Sequence, residues 1–249
     1  MSNVRVPLVS VITVVRNGAA TIASTLESVR NQRQVDVEHI IIDGASTDDT
    51  VDIIKAYQCD QLCWVSEPDQ GIYDAMNKGI SLAQGEWLLF LGADDILSNS
   101  TVLDDIFLGR ELMGYDLICG QSLYRSGKCC KPRLDWRTLI FNTIHHQAAF
   151  YRRSLFDKYQ FRNDIPVMAD YEMNFLLYLR RKSVLNVDRN ISICGSQGVS
   201  FRSSQIVAQV DMFKIRSRYI NVLKNAIFFS IGLINLALTS ILRRTTKHK

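Results

Sequence analysis

Two observations predict that this chain of 249 residues folds as an α/β protein with a mostly parallel central sheet covered by helices. Short apolar segments alternate with segments of helical periodicity through the first 110 residues. The apolar segments at 40–42 and 87–91 are continuous runs, as expected of strands buried on both faces. With 47% hydrophobic and 22% charged residues and no internal repeat, the composition is typical of a globular protein. The length suits one large domain, or one domain with a small appendage.

The first strand is predicted at 8–15, where β-branched residues dominate, and a turn follows at Arg16, Asn17 and Gly18. Helix one is predicted at 20–31, because Ile22, Leu26 and Val29 recur at helical spacing.

The second unit repeats this order. A buried strand at 37–43 ends at Asp43, and a turn at 44–49 precedes a helix that begins near Val51. Ser46 and Asp49 have the spacing of a capping box, which predicts that they cap this helix.

A third strand at 62–65 leads through a loop at 67–71 into a helix at 72–83. Spacings of three and four residues place Asp74, Asn77 and Lys78 on one face of that helix.

The fourth strand, at 87–91, ends in two adjacent carboxylates, Asp94 and Asp95. Neighbouring aspartates repel one another and are costly to dehydrate, so a divalent cation with oxygen ligands would stabilise them. The alternative is that they start a loop and cap a helix near Ser98. Because parallel strands share one carboxyl edge, Arg16, Asp43 and the aspartate pair should lie together there. No glycine-rich phosphate loop is present, so bound phosphates would need a metal.

The second half is predicted to contain a strand at 115–123 and a turn at 124–128 into a partner strand. The pair His145 and His146 is more typical of packing or hydrogen bonding than of zinc binding, since no third ligand has suitable spacing. Asp170 opens a helix and could simply be an acid favoured by the helix dipole.

The net charge of +4 is concentrated in the last part of the chain, where residues 212–249 contain eight basic residues and no acidic one. Residues 226–242 are mostly apolar and uncharged, which favours a membrane surface over nucleic acid as the partner. On a helical projection Asn225, Gly232, Asn235 and Thr239 share one side. Three alternatives stay open: a helix in the membrane interface, a helix buried in the protein or in an oligomer contact, and a membrane span.

The six cysteines form no CxxC pair, which favours a reducing compartment. Residues 1–7 run directly into a strand without a separate apolar signal region, so we expect a chain that is not exported.

Four sequence blocks together resemble the family 2 glycosyltransferases, in particular those that build bacterial surface polysaccharides such as lipopolysaccharide and capsule. The resemblance covers about residues 7–205, and its blocks are residues 9–17, 43–48, 74–79 and 85–95. It implies the type A nucleotide-diphospho-sugar transferase fold, with a Rossmann-like, mostly parallel sheet. It also implies a catalytic domain at 1–205, with a nucleotide-sugar half at 1–110 and an acceptor half at 111–205. A basic amphipathic helical tail would occupy 206–249.

By this resemblance, nucleotide binding falls to Arg16, Asp43 and Asp94, and Asp94 and Asp95 hold a divalent metal, Mg²⁺ or Mn²⁺. Asp170 would be the catalytic base, with Glu172 as the fallback. Asp74, Lys78 and His146 are possible donor or acceptor contacts, and a loop at 195–200 could close over the donor. Two positions depart from the family pattern, since Gly92 replaces a frequent aspartate and Arg16 replaces a frequent tyrosine.

The implied activity is inverting transfer of a sugar from a UDP-, GDP- or dTDP-linked donor to a hydroxyl of a glycan acceptor that is lipid-linked. The implied location is cytoplasmic, at the inner face of the cell membrane, without a nucleic-acid partner. Two alternatives are a degenerate transferase that binds nucleotide-sugars or acts as a scaffold, and a nucleotidyltransferase of similar fold.

Overall fold

The computed structural model describes residues 6–195 and 204–246, with side chains described as far as residue 239. In these ranges a nine-stranded sheet has the order β3-β2-β1-β4-β8-β6-β9-β5, with β7 paired to β6. The strands are β1 (Val9–Val15), β2 (Val37–Asp43), β3 (Leu62–Ser66), β4 (Trp87–Phe90), β5 (Ile96–Leu97), β6 (Leu117–Tyr124), β7 (Cys129–Cys130), β8 (Ala149–Arg152) and β9 (Val184–Cys194).

Helices flank this sheet and follow most of its strands. They are α1 (Ile22–Arg30), α2 (Thr50–Ala56), α3 (Ile72–Leu82), α4 (Val102–Phe107), α5 (Ala169–Leu179), α6 (Gln205–Arg216) and α7 (Val222–Thr246). Short 3₁₀ turns lie at Trp136–Leu139, His146–Ala148 and Arg153–Lys158. The predicted α/β fold is therefore confirmed.

Strands β1 to β4 are parallel, so their last residues meet at one border of the sheet, which we call the carboxyl edge. Strand β8 runs antiparallel to β4 and β6, so it begins at this edge. Strands β6 and β9 are parallel to one another and end there. One border of the sheet therefore contains the start of β8, the ends of six other strands and the loops that follow those six strands.

The core lies on both faces of the sheet. Successive residues of β4 alternate between two apolar clusters, with Leu88 and Phe90 in one and Trp87 and Leu89 in the other. All four side chains are almost fully buried, which contributes roughly 1.5–3 kcal/mol each. The continuous apolar run of β4 is therefore buried on both faces of the sheet, as predicted.

The predicted capping box before α2 is wrong. Asp49 is the N-cap residue of α2 and makes no side-chain cap hydrogen bond. The Ser46 hydroxyl instead donates to Asp43, three residues before it. A fully buried carboxylate at Asp43 needs donors more than an exposed helix terminus does, because water can solvate the helix terminus.

The tail is two helices, of which α6 packs on α5 and α7 packs on α6. Asn225 is fully buried, and a Cβ on Gly232 would lie 2.2 Å from Oε1 of Gln209 in α6. Large apolar residues face outward instead, with Ile234 at 59% and Leu238 at 56% exposure. Only 11% of the segment Val222–Thr239 is buried, which excludes the alternative that α7 is a core helix of this chain.

Candidate active site

Asp43 closes β2 at the carboxyl edge and is fully buried. Its Oδ2 accepts hydrogen bonds from the Ser46 backbone N–H at 3.0 Å and from the Ser66 hydroxyl at 2.7 Å. Its Oδ1 accepts from the Ser46 hydroxyl. The carboxylate thereby fixes the turn after β2, in which Ala45 has a φ of 55°. A left-handed alanine is strained by about 1–2 kcal/mol, so these hydrogen bonds hold a backbone shape that alanine does not prefer.

The loop after β1 is joined to this turn. The side-chain oxygen of Asn17 accepts from the Thr47 N–H at 2.8 Å, and the Asn17 N–H donates to the Ser46 hydroxyl at 2.7 Å. Arg16 is exposed beside Gly44, and within residues 6–195 and 204–246 its guanidinium makes no ion pair. A positive charge therefore faces solvent between the ends of β1 and β2.

Asp69 also lies at the carboxyl edge, although no sequence motif indicated it. A Cβ on Gly44 would lie 2.3 Å from Oδ2 of Asp69, so glycine permits this close approach. Its Oδ1 accepts from the Gly71 N–H at 2.9 Å, which shapes the turn into α3. Its place in the loop directly after β3 was the signal that could have identified it.

Asp74 and Lys78 lie on one face of α3, as predicted, and they bond to the same loop. Lys78 Nζ is 2.7 Å from Glu67, 3.6 Å from Asp74 and 2.8 Å from the Pro68 carbonyl oxygen. Asp74 Oδ2 accepts from the Gln70 N–H at 3.0 Å. These contacts brace the β3–α3 loop, while a direct role for either residue in binding stays a prediction.

Asp94 and Asp95 follow β4 and have different environments. Asp95 is 3% exposed, and its two oxygens accept from the N–H groups of Gly92 at 3.0 Å and Gly195 at 2.8 Å. Asp94 is partly exposed at the same edge. Burial and then the neighbouring Asp94 charge raise the pKa of Asp95, although the two N–H donors oppose this.

Two glycines allow the aspartates to fold against the backbone. A Cβ on Gly92 would lie 2.6 Å from Oδ2 of Asp95, and one on Gly195 would lie 2.1 Å from Oδ2 of Asp94. The departure at Gly92 thus has a steric reason, because a side chain there would displace Asp95. Residues 196–200 of the predicted closing loop lie outside the described residues.

Asp170, in the first turn of α5, is 6% exposed. Its Oδ2 accepts from Asn142 Nδ2 at 2.9 Å and lies 3.1 Å from His146 Nδ1. Burial opposes ionisation, but the hydrogen bonds and charge of His146 and the bond from Asn142 outweigh it, and the pKa of Asp170 is lowered. The carboxyl group is therefore ionised at neutral pH and able to accept a proton.

His146 contacts the candidate base. Its Nδ1 lies 3.1 Å from Oδ2 of Asp170. The residue lies in a 3₁₀ turn before β8. Asn142, which no sequence motif indicated, accepts from Asn174 at 3.0 Å and donates to Asp170.

Glu172, the fallback base, faces away from this group. Its Oε1 accepts a hydrogen bond of 2.7 Å from the hydroxyl of Tyr219, a residue in the segment after α6. Its environment is therefore the contact between α5 and the tail.

The oxygen donors at the edge fit a hard divalent cation. Within residues 6–195 and 204–246 no group of three or more acids, histidines or cysteines could hold a metal ion. Two carboxylates are nevertheless sufficient for Mg²⁺ when substrate phosphates supply further ligands. The edge therefore combines a carboxylate pair suited to a cation, an exposed arginine suited to an anion, and a separate ionised carboxylate.

Sequence comparison links this arrangement to known proteins. The family described as glycosyl transferase family 2 matches residues 10–181. A PGL/p-HBAD biosynthesis glycosyltransferase of Mycobacterium tuberculosis is 39% identical over 180 residues, which cover 68% of this chain and 68% of the relative.

Solved structures agree on the fold. S. aureus TarS 1-349 in complex with UDP-GlcNAc matches with a TM-score of 0.68 at 18% identity, over 90% of this chain and 71% of that one. Mannosyltransferase PcManGT from Pyrobaculum calidifontis, in complex with GDP-Man and Mn²⁺, matches with a TM-score of 0.65 at 17% identity, over 98% of this chain and 81% of that one. The predicted type A fold is confirmed.

Proposed function

This chain belongs to glycosyl transferase family 2, and we propose that it moves a sugar, with inversion, from a nucleotide-diphosphate sugar to a hydroxyl of a lipid-linked glycan. The observation that carries the proposal is that His146, in the turn where β8 begins at the carboxyl edge, lies 3.1 Å from Oδ2 of Asp170. Asp94 and Asp95 follow β4, the neighbour of β8 in the sheet, so the candidate cation position and the buried carboxylate belong to adjacent strands at one edge. We assign residues 1–110 to the donor, residues 111–205 to the acceptor and residues 206–249 to the tail.

On the donor side, the loops after β1 and β2 bind the nucleotide. Asp43 holds the turn that faces the base, and Arg16 offers a positive charge to the phosphates. The TarS structure contains UDP-GlcNAc and the PcManGT structure contains GDP-Man, which supports a nucleotide-sugar donor without fixing its base or sugar.

Asp94 and Asp95 would hold Mg²⁺ or Mn²⁺. Such an ion neutralises charge on a leaving diphosphate when it is bound. The two residues have different tasks in the protein itself. Asp95 locks the loop through the N–H groups of Gly92 and Gly195, and the more exposed Asp94 is the better placed ligand.

Asp170 acts as the base, because an attacking hydroxyl must lose its proton as the new glycosidic bond forms. His146 and Asn142 both hold Oδ2 of Asp170, so Oδ1, which is 3.3 Å from the Tyr73 hydroxyl, is the oxygen that accepts that proton. Their hydrogen bonds also keep the carboxylate ionised, as a base requires.

The tail places the enzyme at the cytoplasmic face of the membrane. Helix α7 packs on α6 through Asn225, Gly232 and the Phe229 ring, whose centroid is 5.2 Å from that of Phe213. It leaves large apolar residues such as Ile227, Ile234 and Leu238 exposed. Its segment Val222–Thr239 is long and apolar enough to cross a bilayer by length and composition. Lys224 adds a positive charge that suits anionic lipid headgroups. A glycan carried on lipid would meet the enzyme there, as in the synthesis of surface polysaccharides.

Calorimetric titration tests the donor assignment. UDP, GDP and dTDP are added with and without Mn²⁺ to the wild type and to Asp94→Asn/Asp95→Asn. One nucleotide should bind in a metal-dependent way, and the variant should lose this binding. Asp60→Asn is the matched control, since this exposed carboxylate lies just before β3 and so is at the opposite border of the sheet. Absence of binding by all three nucleotides would refute the proposal.

A degenerate, non-catalytic transferase is the second candidate, and turnover separates the two. An enzyme transfers the sugar or slowly hydrolyses the donor, whereas a scaffold does neither. Gly92 prompted this alternative, and its steric reason removes most of that support.

A further inference from the structure

A cleft of about 200 Å³ opens beside β6. In the sheet, β8 and β6 lie beyond β4, so the cleft is separated from the ends of β1 to β4. Its lining includes Ser122, Lys131, Arg133, Asn142 and His145, and we call it the basic cleft.

The basic cleft reaches the candidate base through one side chain. Asn142 lines the cleft and donates from Nδ2 to Oδ2 of Asp170 at 2.9 Å. The oxygen of the Asn142 amide accepts from Asn174 at 3.0 Å, so the side chain is fixed from both ends. A molecule that presents a hydroxyl to Asp170 can therefore extend past Asn142 into the cleft.

The charge of the cleft is one-sided. Its lining includes two cations, Lys131 and Arg133, and no carboxylate. Both residues are exposed, and neither side chain forms an ion pair within residues 6–195 and 204–246. Arg137 shows the contrast, since it is paired with Asp135 at 2.7 Å.

The segment that carries these cations is held in place. The Arg133 N–H donates to the Thr143 carbonyl at 3.2 Å, which ties the two sides of the cleft together. Deeper in the cleft, His145 Nδ1 is 3.1 Å from the Ser122 hydroxyl. Burial lowers the pKa of His145 to about 4, so this wall is neutral and polar at physiological pH. The net result is a fixed, positively charged recess with neutral hydrogen-bonding groups.

We infer that the basic cleft binds a phosphate group of the acceptor, close to the hydroxyl that attacks the donor. This inference rests on the proposed function, because it takes Asp170 to mark the attacking hydroxyl. Phosphate matches the site, since its oxygens accept charge-assisted hydrogen bonds from lysine and arginine. The acceptor is then an anionic glycan, with its phosphate attached either to a lipid or to a soluble sugar.

The test uses Lys131→Gln/Arg133→Gln, which removes both charges and keeps the side-chain lengths similar. Farnesyl phosphate, glucose 1-phosphate and the neutral control farnesol are titrated by calorimetry, with and without a saturating nucleoside diphosphate and Mn²⁺. The wild type should bind farnesyl phosphate, glucose 1-phosphate or both, whether or not the nucleoside diphosphate and Mn²⁺ are present. The variant should bind the same compound roughly tenfold or more weakly. Binding of farnesyl phosphate alone identifies a lipid phosphate, and binding of glucose 1-phosphate identifies a soluble sugar phosphate.

Arg30→Gln/Arg33→Gln is the matched control, because it removes the same charge near the end of α1, at the opposite border of the sheet. It should bind the phosphate as the wild type does. Equal phosphate affinity in the wild type and the cleft variant, or no binding by either phosphate, would overturn the inference. Nucleotide affinity, measured on the same samples, distinguishes failure of the cleft inference from failure of the proposed function. If the wild type binds a nucleotide but neither phosphate compound, only the cleft inference is refuted. If the wild type binds no nucleotide, the proposed function is refuted.

Discussion

The donor half and the acceptor half build their acidic sites in different ways. In the donor half, Asp43 and Asp95 each find a hydrogen-bond partner three residues away, at Ser46 and Gly92. In the acceptor half, Asp170 is held by Asn142 and His146, which are 28 and 24 residues distant. Asp43 and Asp95 each combine this local partner with one distant donor, Ser66 and Gly195, whereas the side-chain partners of Asp170 all come from other elements and depend on how those elements pack. Substitutions should therefore separate donor binding from transfer.

The largest effect is expected from Asp170→Asn. An asparagine cannot take the proton of the acceptor hydroxyl, so kcat should fall by about 10²- to 10⁴-fold. Nucleotide affinity should stay at the wild-type value, because the substitution leaves the donor loops intact. Glu172→Gln is the control, since that carboxylate bonds to Tyr219, and it should retain transfer activity within a few-fold. The reverse result, an active Asp170 variant and an inactive Glu172 variant, would assign the base to Glu172.

The aspartate pair should show a smaller effect that divides into two parts. Asp94→Asn should weaken Mn²⁺-dependent nucleotide binding by roughly tenfold or more and lower the melting temperature less than Asp95→Asn does. Asp95→Asn should weaken binding similarly and also lower stability by about 1–3 kcal/mol, because an amide NH₂ would face the N–H of Gly92 or Gly195. Calorimetry and thermal unfolding of both variants measure the two parts. Equal stability of the variants would contradict the structural role given to Asp95.

The same difference between the halves explains what the sequence could predict. Polar residues directly after apolar strands predicted the positions of Arg16, Asp43 and the aspartate pair at one edge, since topology alone places strand ends together. No local pattern predicts that Asn142 fixes Asp170, because that contact depends on the packing of two separate segments. The capping-box prediction was wrong for a local reason, since the Ser46 hydroxyl donates to Asp43 and does not cap α2.

The tail shows a further limit of sequence patterns. The projection of α7 correctly grouped Asn225 and Gly232 on one side, but Asn235, which it placed with them, is exposed. It did not reveal that this side contacts the protein, because the pattern has no information on Gln209 of α6.

Acid pH should destabilise both halves through buried neutral histidines. Burial lowers the pKa of His39 in β2 to about 3 and that of His145 to about 4. Below the unfolded pKa of about 6.5 the unfolded chain binds protons that the folded chain excludes, so stability rises with pH and falls as the solution is acidified. At pH 5 each histidine should cost about 2 kcal/mol relative to neutral pH.

Urea unfolding at pH 7 and pH 5 measures this cost. His39→Gln and His145→Gln should each reduce the loss of stability between these two pH values, whereas Lys55→Gln on the exposed face of α2 should not. Below pH 4 the two variants should diverge, because His39 continues to disfavour the folded state down to about pH 3. Parallel pH profiles for all three variants would contradict the assignment.

The smallest effect is expected from Tyr73→Phe, which tests whether the two halves are coupled at the base. Tyr73 belongs to α3 of the donor half, yet its hydroxyl lies 2.6 Å from the Val167 carbonyl oxygen and 3.3 Å from Oδ1 of Asp170. A hydroxyl has one proton, and the shorter distance assigns it to Val167. Asp170 therefore loses little when the hydroxyl is removed, and kcat should fall by less than about fivefold, with about 1 kcal/mol of stability lost. Steady-state kinetics and urea unfolding measure both quantities. A loss of kcat as large as that of Asp170→Asn would mean that Tyr73 donates to the base, and the acceptor half would then depend on the donor half for its chemistry.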